Sequence, residues 1–397
     1  MAIRPTFPGV FVREISTAPQ AVVAAPTAVA AFVGHSAAGP VQQPVEVRSW
    51  SDFVSVFGAP AARATLGPAV QQFFQNGGTQ AWIVRLPPRT RAATTWVPKS
   101  KTAQTQRKGI YALDALAQFN LLCLPPPAHD SDFPLDLWAR AAGYCLQRGA
   151  VLLVDAPLAW LADPAIAVAG MEALRQAMIP TARANVAVYG PRLLAPVGAD
   201  AKRTRAIAPC GAVAGMMARI DASRGVWKAP AGLNATLPGA VGLSHTLNNA
   251  QLSQWTQAGL NGLRVHPGSQ PVVWGARTLD GQDTANSEWR YLSVRRLALH
   301  IERSVLGGTA WSVDEPNGDR LWARLRATVE GFLLGLFQQG AFQGQRVKEA
   351  CFVQCNRDTT TNADIAAGQT NLLIGFAALK PSEFVLLRLR LPARPAD

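Results

Sequence analysis

Between residues 113 and 222 the sequence alternates between short apolar runs and longer amphipathic stretches. The apolar runs have the length of buried strands, and the stretches between them have the spacing of helices. The strands are predicted over 120–127, 150–155 and 185–189, and the helices over 137–148, 165–177 and 213–222. Because parallel strands need crossover connections, this alternation predicts an α/β fold with a mostly parallel sheet and helices packed against it.

The residues before this region continue the same pattern. The continuous apolar run 28–34 is typical of a strand covered on both faces, and 80–86 is predicted to be a second strand. Helices are predicted over 51–58, ended by a glycine, and over 66–75. Residues 87–108 are polar and contain prolines and several basic residues, so a mobile surface loop is expected there.

The last quarter of the chain predicts a different, α+β arrangement. An amphipathic helix is expected from Trp289 to about Leu306, ended by Gly307-Gly308, and a second helix starts near Arg320. The core candidates of the first helix are Leu292, Leu297, Ile301 and Val305. A final strand covers 383–391 with two distinct faces. One face carries Val385, Leu387, Leu389 and Leu391, and the other carries Phe384, Leu386, Arg388 and Arg390. We interpret this region as a scaffold that gives its last strand to a partner.

The amino-terminal residues read as an extended segment. Two prolines and a glycine precede the Val-Phe-Val-Arg-Glu-Ile run at 10–15, which favours an edge or isolated strand. It can be a strand on its own domain or an arm that reaches a neighbouring subunit. The 397 residues suit two or three domains. We predict divisions of the chain into 1–20, 21–275, 276–382 and 383–397, with the extended segments at the two ends.

The charge balance indicates which class of partner the chain favours. The chain has 38 Lys and Arg against 25 Asp and Glu, for a formal net charge of +13, and the basic residues are scattered. This favours an acidic partner, and an acidic protein is at least as good a candidate as nucleic acid because no basic run or aromatic-interleaved motif occurs. Only 16% of residues are charged. A surface covered by partners explains that, although a large, well-packed enzyme would share this composition.

Cysteine usage and the absence of targeting signals indicate the compartment. Five cysteines, at 123, 145, 210, 351 and 355, form no CxxC pair, so neither a disulfide framework nor a zinc site is predicted. Residues 1–20 contain no secretory apolar region, and no stretch is long enough for a convincing membrane span. We therefore expect the chain to fold in the cytoplasm.

Two positions invite a catalytic interpretation, and neither is supported by its surroundings. Asp155 follows an apolar strand, where many α/β enzymes place acids, but no nucleophile elbow, P-loop or GxGxxG motif accompanies it. Gly34-His35-Ser36 resembles a phosphate loop only weakly. The five histidines fall at no metal-ligand spacing. The sequence predicts no catalytic, cofactor-binding or metal-binding residue, which weighs against the rival class, an α/β enzyme with a basic cleft.

A series of short motifs in fixed order resembles one family. The motifs occupy 211–221, 224–232, 260–264, 273–279, 289–297, 315–317, 321–322 and 364–368. In this order they resemble the tail sheath proteins of contractile phage tails and related injection machines. The run Pro8-Gly9-Val10-Phe11-Val12-Arg13-Glu14 is similar to that family's opening strand. The resemblance covers 5–60 and 205–392 well and 90–205 in pattern only, and Val313-Asp314 departs from it.

The resemblance implies a structural protein without bond chemistry. Members of the family stack as hexameric rings into a helical sheath around an inner tube, and contraction drives the tube through a target envelope. By the resemblance, 276–382 is an inner domain against the tube, 21–275 is an outer α/β domain with its variable part at about 87–205, and 1–20 and 383–397 are arms. The implied partners are further copies of the chain, an acidic tube protein, and baseplate and tail terminator proteins, without nucleic acid or membrane insertion. The implied location is the host cytoplasm during assembly and then a virion tail. The sheath of a non-viral contractile injection system is the alternative.

The resemblance also implies two sets of site residues. Intersubunit strand arms are expected at Val10, Phe11, Val12, Arg13, Glu14 and Ile15 and at Phe384, Val385, Leu386, Leu387, Arg388 and Leu389. Links at 16–20 and 379–382 would let the bodies rotate while the strands stay paired. Basic residues on the two inner helices are predicted to grip the acidic tube; they are Arg296, Arg303, Arg320, Arg324 and Arg326. His300 is expected to lie away from the core beside Arg296.

Overall fold

The computed structural model describes residues 21–61, 63–88, 92–197, 200–285, 287–378 and 384–395. The predicted arm strand 10–15 and the links 16–20 and 379–382 lie outside the described residues. The strands are β1 (Ala30–Gly34), β2 (Pro44–Val47), β3 (Ala81–Arg85), β4 (Leu121–Cys123), β5 (Val151–Asp155), β6 (Val186–Gly190), β7 (Leu193–Val197), β8 (Asp200–Ile207), β9 (Gly242–Leu243), β10 (Leu260–Val265), β11 (Pro271–Val273), β12 (Cys351–Gln354), β13 (Gln369–Ala377) and β14 (Phe384–Pro392).

An eight-stranded central sheet has the order β11-β10-β6-β5-β4-β1-β3-β2. The pairs from β10 to β3 are parallel, and the two edge strands, β11 and β2, run antiparallel. Every residue of β1, β5 and β6 is buried, as their uninterrupted apolar sequences predict. The mostly parallel α/β architecture is confirmed.

Helices cover both faces of the central sheet. They are part of the set α1 (Trp50–Phe57), α2 (Leu66–Gln75), α3 (Lys101–Thr105), α4 (Leu135–Arg148), α5 (Pro164–Ala177), α6 (Pro180–Arg183), α7 (Cys210–Arg224), α8 (Asn249–Gln257), α9 (Leu292–Gly308), α10 (Asp319–Gln338), α11 (Val347–Ala350) and α12 (Asn362–Ala366). Helices α4 and α5 contribute to one apolar core, and α2 and α7 to the other. A side chain at Gly211 or Gly215 would collide with backbone atoms of α2, so these glycines allow the two helices to pack closely.

Two smaller sheets complete the described chain. Strands β8, β7 and β9 form an antiparallel sheet that the sequence pattern did not predict. Strands β12, β13 and β14 form the C-terminal sheet, which is also antiparallel. Its inner face packs on α9 and α10 around a third apolar core. We call α9 through β14 the C-terminal unit, and the central sheet with its helices the central unit.

The expectation of a mobile loop over 87–108 is wrong for the described residues of that segment. Trp96 and Val97 are fully buried in the central unit. The indole nitrogen of Trp96 donates a hydrogen bond to the carbonyl of Val33 at 3.1 Å, at the end of β1. Polar composition concealed two buried residues that fasten the segment to the sheet, and a short helix, α3, follows them.

Candidate functional site

The terminal strand β14 belongs to its own unit. It pairs along its whole length with β13 of the same chain. Its inward side chains, Val385, Leu387, Leu389 and Leu391, are 2–7% exposed, whereas the alternate side chains face outward, which confirms the two predicted faces. In this single chain the strand pairs with β13 and fills the core beneath it, and its predicted exchange with a neighbouring subunit stays a prediction. A role for its edge between subunits stays a prediction.

Strand β14 offers a backbone edge. Among the described residues β14 has β13 on one side and no strand on the other. An edge strand presents backbone N–H and C=O groups that can pair with a further strand. The edge is nine residues long and contains no proline before Pro392, so it can accept an added strand over most of its length.

The first described residues are fastened to α9. The backbone N–H of Ala25 donates to Oγ of Ser304 at 2.9 Å, and Val22 lies against Gly308. The Thr27 hydroxyl donates to a carboxylate oxygen of Asp221 at 2.6 Å. Residues 22–27 are therefore fixed beside α9 and α7.

Arg296 forms a buried ion pair between the two units. Its guanidinium donates to both carboxylate oxygens of Asp221 on α7, at 2.9 and 2.5 Å, and to the carbonyl of Thr27 at 3.1 Å. The side chains of Arg296 and Asp221 are only 2% and 5% exposed. The prediction that Arg296 lies on a solvent-facing side is wrong, since its charge is neutralised inside the protein. We call Arg296, Asp221 and Thr27 the Arg296 clamp.

Two more arginines of α9 also point towards the central unit. Arg295 donates to the side-chain oxygen of Asn185 at 2.8 and 3.1 Å, and burial lowers its pKa. Arg303 donates to the carbonyl of Arg148 at the end of α4. The basic residues of α9 thus hold the C-terminal unit on the central unit. His300 is 8% exposed, so its predicted placement away from the core is also wrong, and burial lowers its pKa.

The remaining tube-facing candidates lie on α10. Arg320 is exposed. Arg324 forms a half-exposed ion pair with Glu315 at 2.6 Å and lies over the Trp311 ring at 4.4 Å. Arg326 donates to the carbonyl of Cys355. The five predicted arginines therefore do not form one surface, and Arg320 is the member of the set that is exposed.

The central unit places few reactive groups together. Asp155 is buried at the end of β5, where one carboxylate oxygen accepts a hydrogen bond from the backbone N–H of Cys210 at 2.8 Å, at the start of α7. Burial raises the pKa of Asp155 to about 6. The geometry is that of a carboxylate at a helix start, which explains why an acid stands at this strand end. Within the described ranges, no group of three or more His, Cys, Asp and Glu side chains could hold a metal ion.

A cavity of about 550 Å³ opens where β1 meets β3 and β4. Open α/β sheets bind ligands at such a switch in strand order, so this is where an enzyme of this fold would be expected to act. Its walls include the apolar side chains of Phe53, Phe57, Pro60 and Pro127. Asp155 is not among its lining residues.

No helix of the described chain is long and apolar enough to cross a membrane.

Comparison with known proteins decides the family. A model of the phage tail sheath central domain matches residues 102–279, and a model of the phage tail sheath C-terminal domain matches residues 284–391. The chain belongs to the tail sheath family. The boundary between the matched regions falls just before α9, where the chain passes from the central to the C-terminal unit.

Solved sheath structures resemble the whole chain. The helical sheath of the anti-feeding prophage in its contracted state is 28% identical, with a TM-score of 0.74, over 97% of this chain and 99% of that one. The contracted sheath complex of the extracellular contractile injection system PVC is 27% identical, with a TM-score of 0.73, over 98% of both chains. A sheath tail protein from Listeria innocua is 12% identical, with a TM-score of 0.64, over 93% of this chain and 96% of that one, and shows the fold alone. No curated protein matched.

The sheath family gives the chain a structural role. Relatives above 25% identity span both units, so the chain is a sheath subunit from the central sheet to the terminal strand. Sequence reasoning identified the terminal strand, helix α10 and the apolar face of α9, but missed that the arginines of α9 point into the protein. Arg296 adjoins Leu297 in a helix whose neighbouring turns are apolar, which indicates that this part of the helix is covered but not which residue neutralises the arginine.

Proposed function

We propose that this chain is the sheath subunit of an extracellular contractile injection system. It would stack as hexameric rings into a helical sheath around an inner tube, and contraction would drive the tube through a target envelope. The supporting observation is the 27–28% identity, over nearly the full length, to the anti-feeding prophage and PVC sheaths. A phage tail sheath is the second candidate, favoured by the phage origin of both family models.

We propose the predicted division of labour along the chain. An arm (1–20), an outer α/β part (21–275, with 87–205 variable), an inner part (276–382) and a terminal strand (383–397) would have separate tasks. The third apolar core is built from α9, α10 and the C-terminal sheet without any strand of the central sheet, which supports a boundary near 275, although Leu292 and Leu299 of α9 also reach the second core. Because β14 completes the inner core, the terminal strand would act from within its unit rather than as a detached arm.

The arm and the strand edge would join subunits. We propose that residues 10–15 of one copy add to the free edge of β14 of another. Main-chain hydrogen bonds would supply affinity, and the alternating side chains would set the register. Residues 22–27, which follow the arm, are fastened to α9 and α7. This supports the arrangement, since force on the arm would pass through these residues into both units.

Deleting residues 1–15 tests the joining role. The truncated chain is expected to fold, because the contacts of residues 22–27 with α9 and α7 are retained. It should remain monomeric or form small oligomers, whereas the full chain forms long sheaths. Electron microscopy and sedimentation of both proteins, with circular dichroism to verify folding, give the answer. Long sheaths from the truncated chain would contradict the proposal.

The tube contact would lie on α10, with Arg320 as its exposed cation. A single exposed cation facing an acidic tube gives an attraction that can be broken and that salt screens. Arg320→Glu should reduce the fraction of sheath protein that sediments with tubes in low salt. The difference from the native chain should disappear in high salt. The substitution adds an acid near the start of a helix, where it is tolerated, so folding should be unaffected.

A matched control separates charge from position. Arg48 lies in the central unit with a side chain 74% exposed, so Arg48→Glu makes the same charge change elsewhere. Tube binding should be insensitive to that change. If both variants bind tubes like the native chain, the contact on α10 is wrong.

The remaining parts of the proposal concern partners and setting. We propose assembly in the cytoplasm on a tube with an acidic surface, with a baseplate at one end and a terminator at the other, and without nucleic acid or membrane insertion. The similar structures include a chain of the anti-feeding prophage baseplate, which supports the baseplate partner. No enzymatic activity is proposed, because the work comes from relaxation of the lattice.

A further inference from the structure

The outer face of the C-terminal sheet carries an exposed apolar cluster. Phe352, Phe384 and Leu386 are 36%, 45% and 48% exposed. Phe352 and Leu386 lie on either side of Gly375 in the register of the sheet, and the rings of Phe352 and Phe384 are 6.0 Å apart. The three side chains are therefore neighbours on one surface. An antiparallel sheet with a solvated face usually has polar residues there.

Gly375 lies beneath this cluster and leaves room for the ring of Phe352. A side chain at Gly375 would collide with the ring of Phe352, so glycine lets that ring lie across β13. The inner face of the sheet already supplies the core of its unit, so the outer cluster is not needed to complete it. Contiguous exposed aromatic and aliphatic groups of this kind mark interaction sites.

The same face becomes basic along β14. Arg388 and Arg390 are exposed and follow Leu386 on its side of the strand. We call Phe352, Phe384, Leu386, Arg388 and Arg390 the outer patch. A partner that fits it must combine an apolar group with acidic groups. The outer patch contains no acidic residue, so two outer patches facing each other would leave all four arginines without counter-charges, and a two-fold contact of this face is disfavoured.

A second surface of the chain has the complementary character. The segment 310–319, which we call the 310–319 loop, connects α9 to the first residue of α10 and includes a short 3-10 helix. Val313 in it is 47% exposed, and Asp314 and Asp319 are also exposed. The loop is fixed to the far end of β14, because Oγ of Ser312 donates to the carbonyl of Pro392 at 2.9 Å. Six residues separate Leu386 from Pro392, a span of about 20 Å at the rise of a strand. The loop and the apolar end of the patch therefore lie apart on one molecule.

We infer that the outer patch receives the 310–319 loop of a second copy of the chain. Val313 contacts the cluster of Phe352, Phe384 and Leu386, and the acids of the loop face the arginines of the patch. Because patch and loop are different surfaces, the contact runs head to tail and can be repeated from copy to copy. This contact uses the outer face of the C-terminal sheet, in addition to the contact proposed above at the edge of β14. The inference rests on the proposed self-assembly of the chain into a sheath.

Engineered disulfides test the contact in the full chain. All five native cysteines are buried and unpaired, so the background of cross-linking is low. The variant with Val313→Cys and Leu386→Cys should give a ladder of covalent oligomers on mild oxidation, while each single variant stays monomeric on a denaturing gel. A control variant pairs Val313→Cys with Ile179→Cys, since Ile179 in the central unit is 57% exposed. That control should give no ladder.

Reversing charges on the two surfaces provides an independent test. Arg388→Glu with Arg390→Glu should abolish the ladder, and adding Asp314→Arg with Asp319→Arg should restore it. Electron microscopy of the same samples records whether sheaths form, which keeps a failure of assembly distinct from a failure of this contact. Sheaths without a ladder would overturn the inference. So would dimers of the single variant Leu386→Cys, or cross-linking of Cys at 386 to tube protein, because each shows another occupant on the patch.

Discussion

Replacing Asp221 with alanine is expected to lower the free energy of unfolding by about 3–5 kcal/mol, because it leaves the Arg296 charge buried without a partner. Both side chains are almost fully buried, and Asp221 accepts hydrogen bonds from Arg296 and Thr27. Loss of these hydrogen bonds should weaken the attachment between the two units and loosen Thr27, which follows the arm in the chain. Urea unfolding followed by tryptophan fluorescence measures it, and hydrogen exchange on α7 and α9 locates it.

The half-exposed pair of Arg324 and Glu315 supplies the control. Its side chains are 40% and 37% exposed, so Glu315→Ala should cost at most about 1 kcal/mol. A double variant, Arg296→Met with Asp221→Leu, removes both charges and should recover much of the stability that the single variant loses. If Asp221→Ala is as mild as Glu315→Ala, the Arg296 clamp is not what holds the units together.

Two adjacent leucines of β14 should respond differently to truncation. Leu387 is 7% exposed and faces the core, so Leu387→Ala should cost about 2–5 kcal/mol of unfolding free energy. Leu386 is 48% exposed, so Leu386→Ala should change stability by no more than about 0.5 kcal/mol. Denaturant unfolding of the two variants provides the comparison. Equal costs would contradict the placement of β14 within its own unit.

The same packing changes the expected result of a larger truncation. A chain ending at Ser382 would lose Val385, Leu387, Leu389 and Leu391, each worth about 1.5–3 kcal/mol when buried. The C-terminal unit should then fail to fold. Treating the strand as a detachable arm predicts instead that this chain folds and remains monomeric or forms small oligomers.

The sequence predicted the strands and helices better than it predicted which of them pack against one another. Strand β14 was recognised because apolar residues alternate along it, and alternation specifies two faces. It does not specify which strand lies alongside. The structure places β13 there, and the connection over 378–383 is short enough for an antiparallel pair.

Charged residues on helices were the main source of error. The periodicity of α9 correctly identified Leu292, Leu297, Ile301 and Val305 as buried. Helical spacing assigns the other side to solvent, but α9 is covered on that side by the central unit. Arg296 can be buried there because Asp221, 75 residues earlier, supplies the counter-charge. A single helix sequence contains no information on a partner so distant.

Composition also misled in one segment. The polar character of residues 87–108 predicted a mobile loop, yet Trp96 is fully buried and hydrogen-bonded to the end of β1. One tryptophan contributes enough apolar area to fasten a polar segment, and average polarity conceals it. In the candidate site, the strand and helix α10 were predictable, whereas the Arg296 clamp required the fold.

Cryo-electron microscopy of the full chain expressed with its tube protein tests the central claim most directly. The account predicts hollow helical sheaths around tubes, with the C-terminal unit innermost, α10 facing the tube and a strand from a neighbouring copy on the edge of β14. Discrete soluble particles under all conditions, or a sheath with the central unit against the tube, would contradict it.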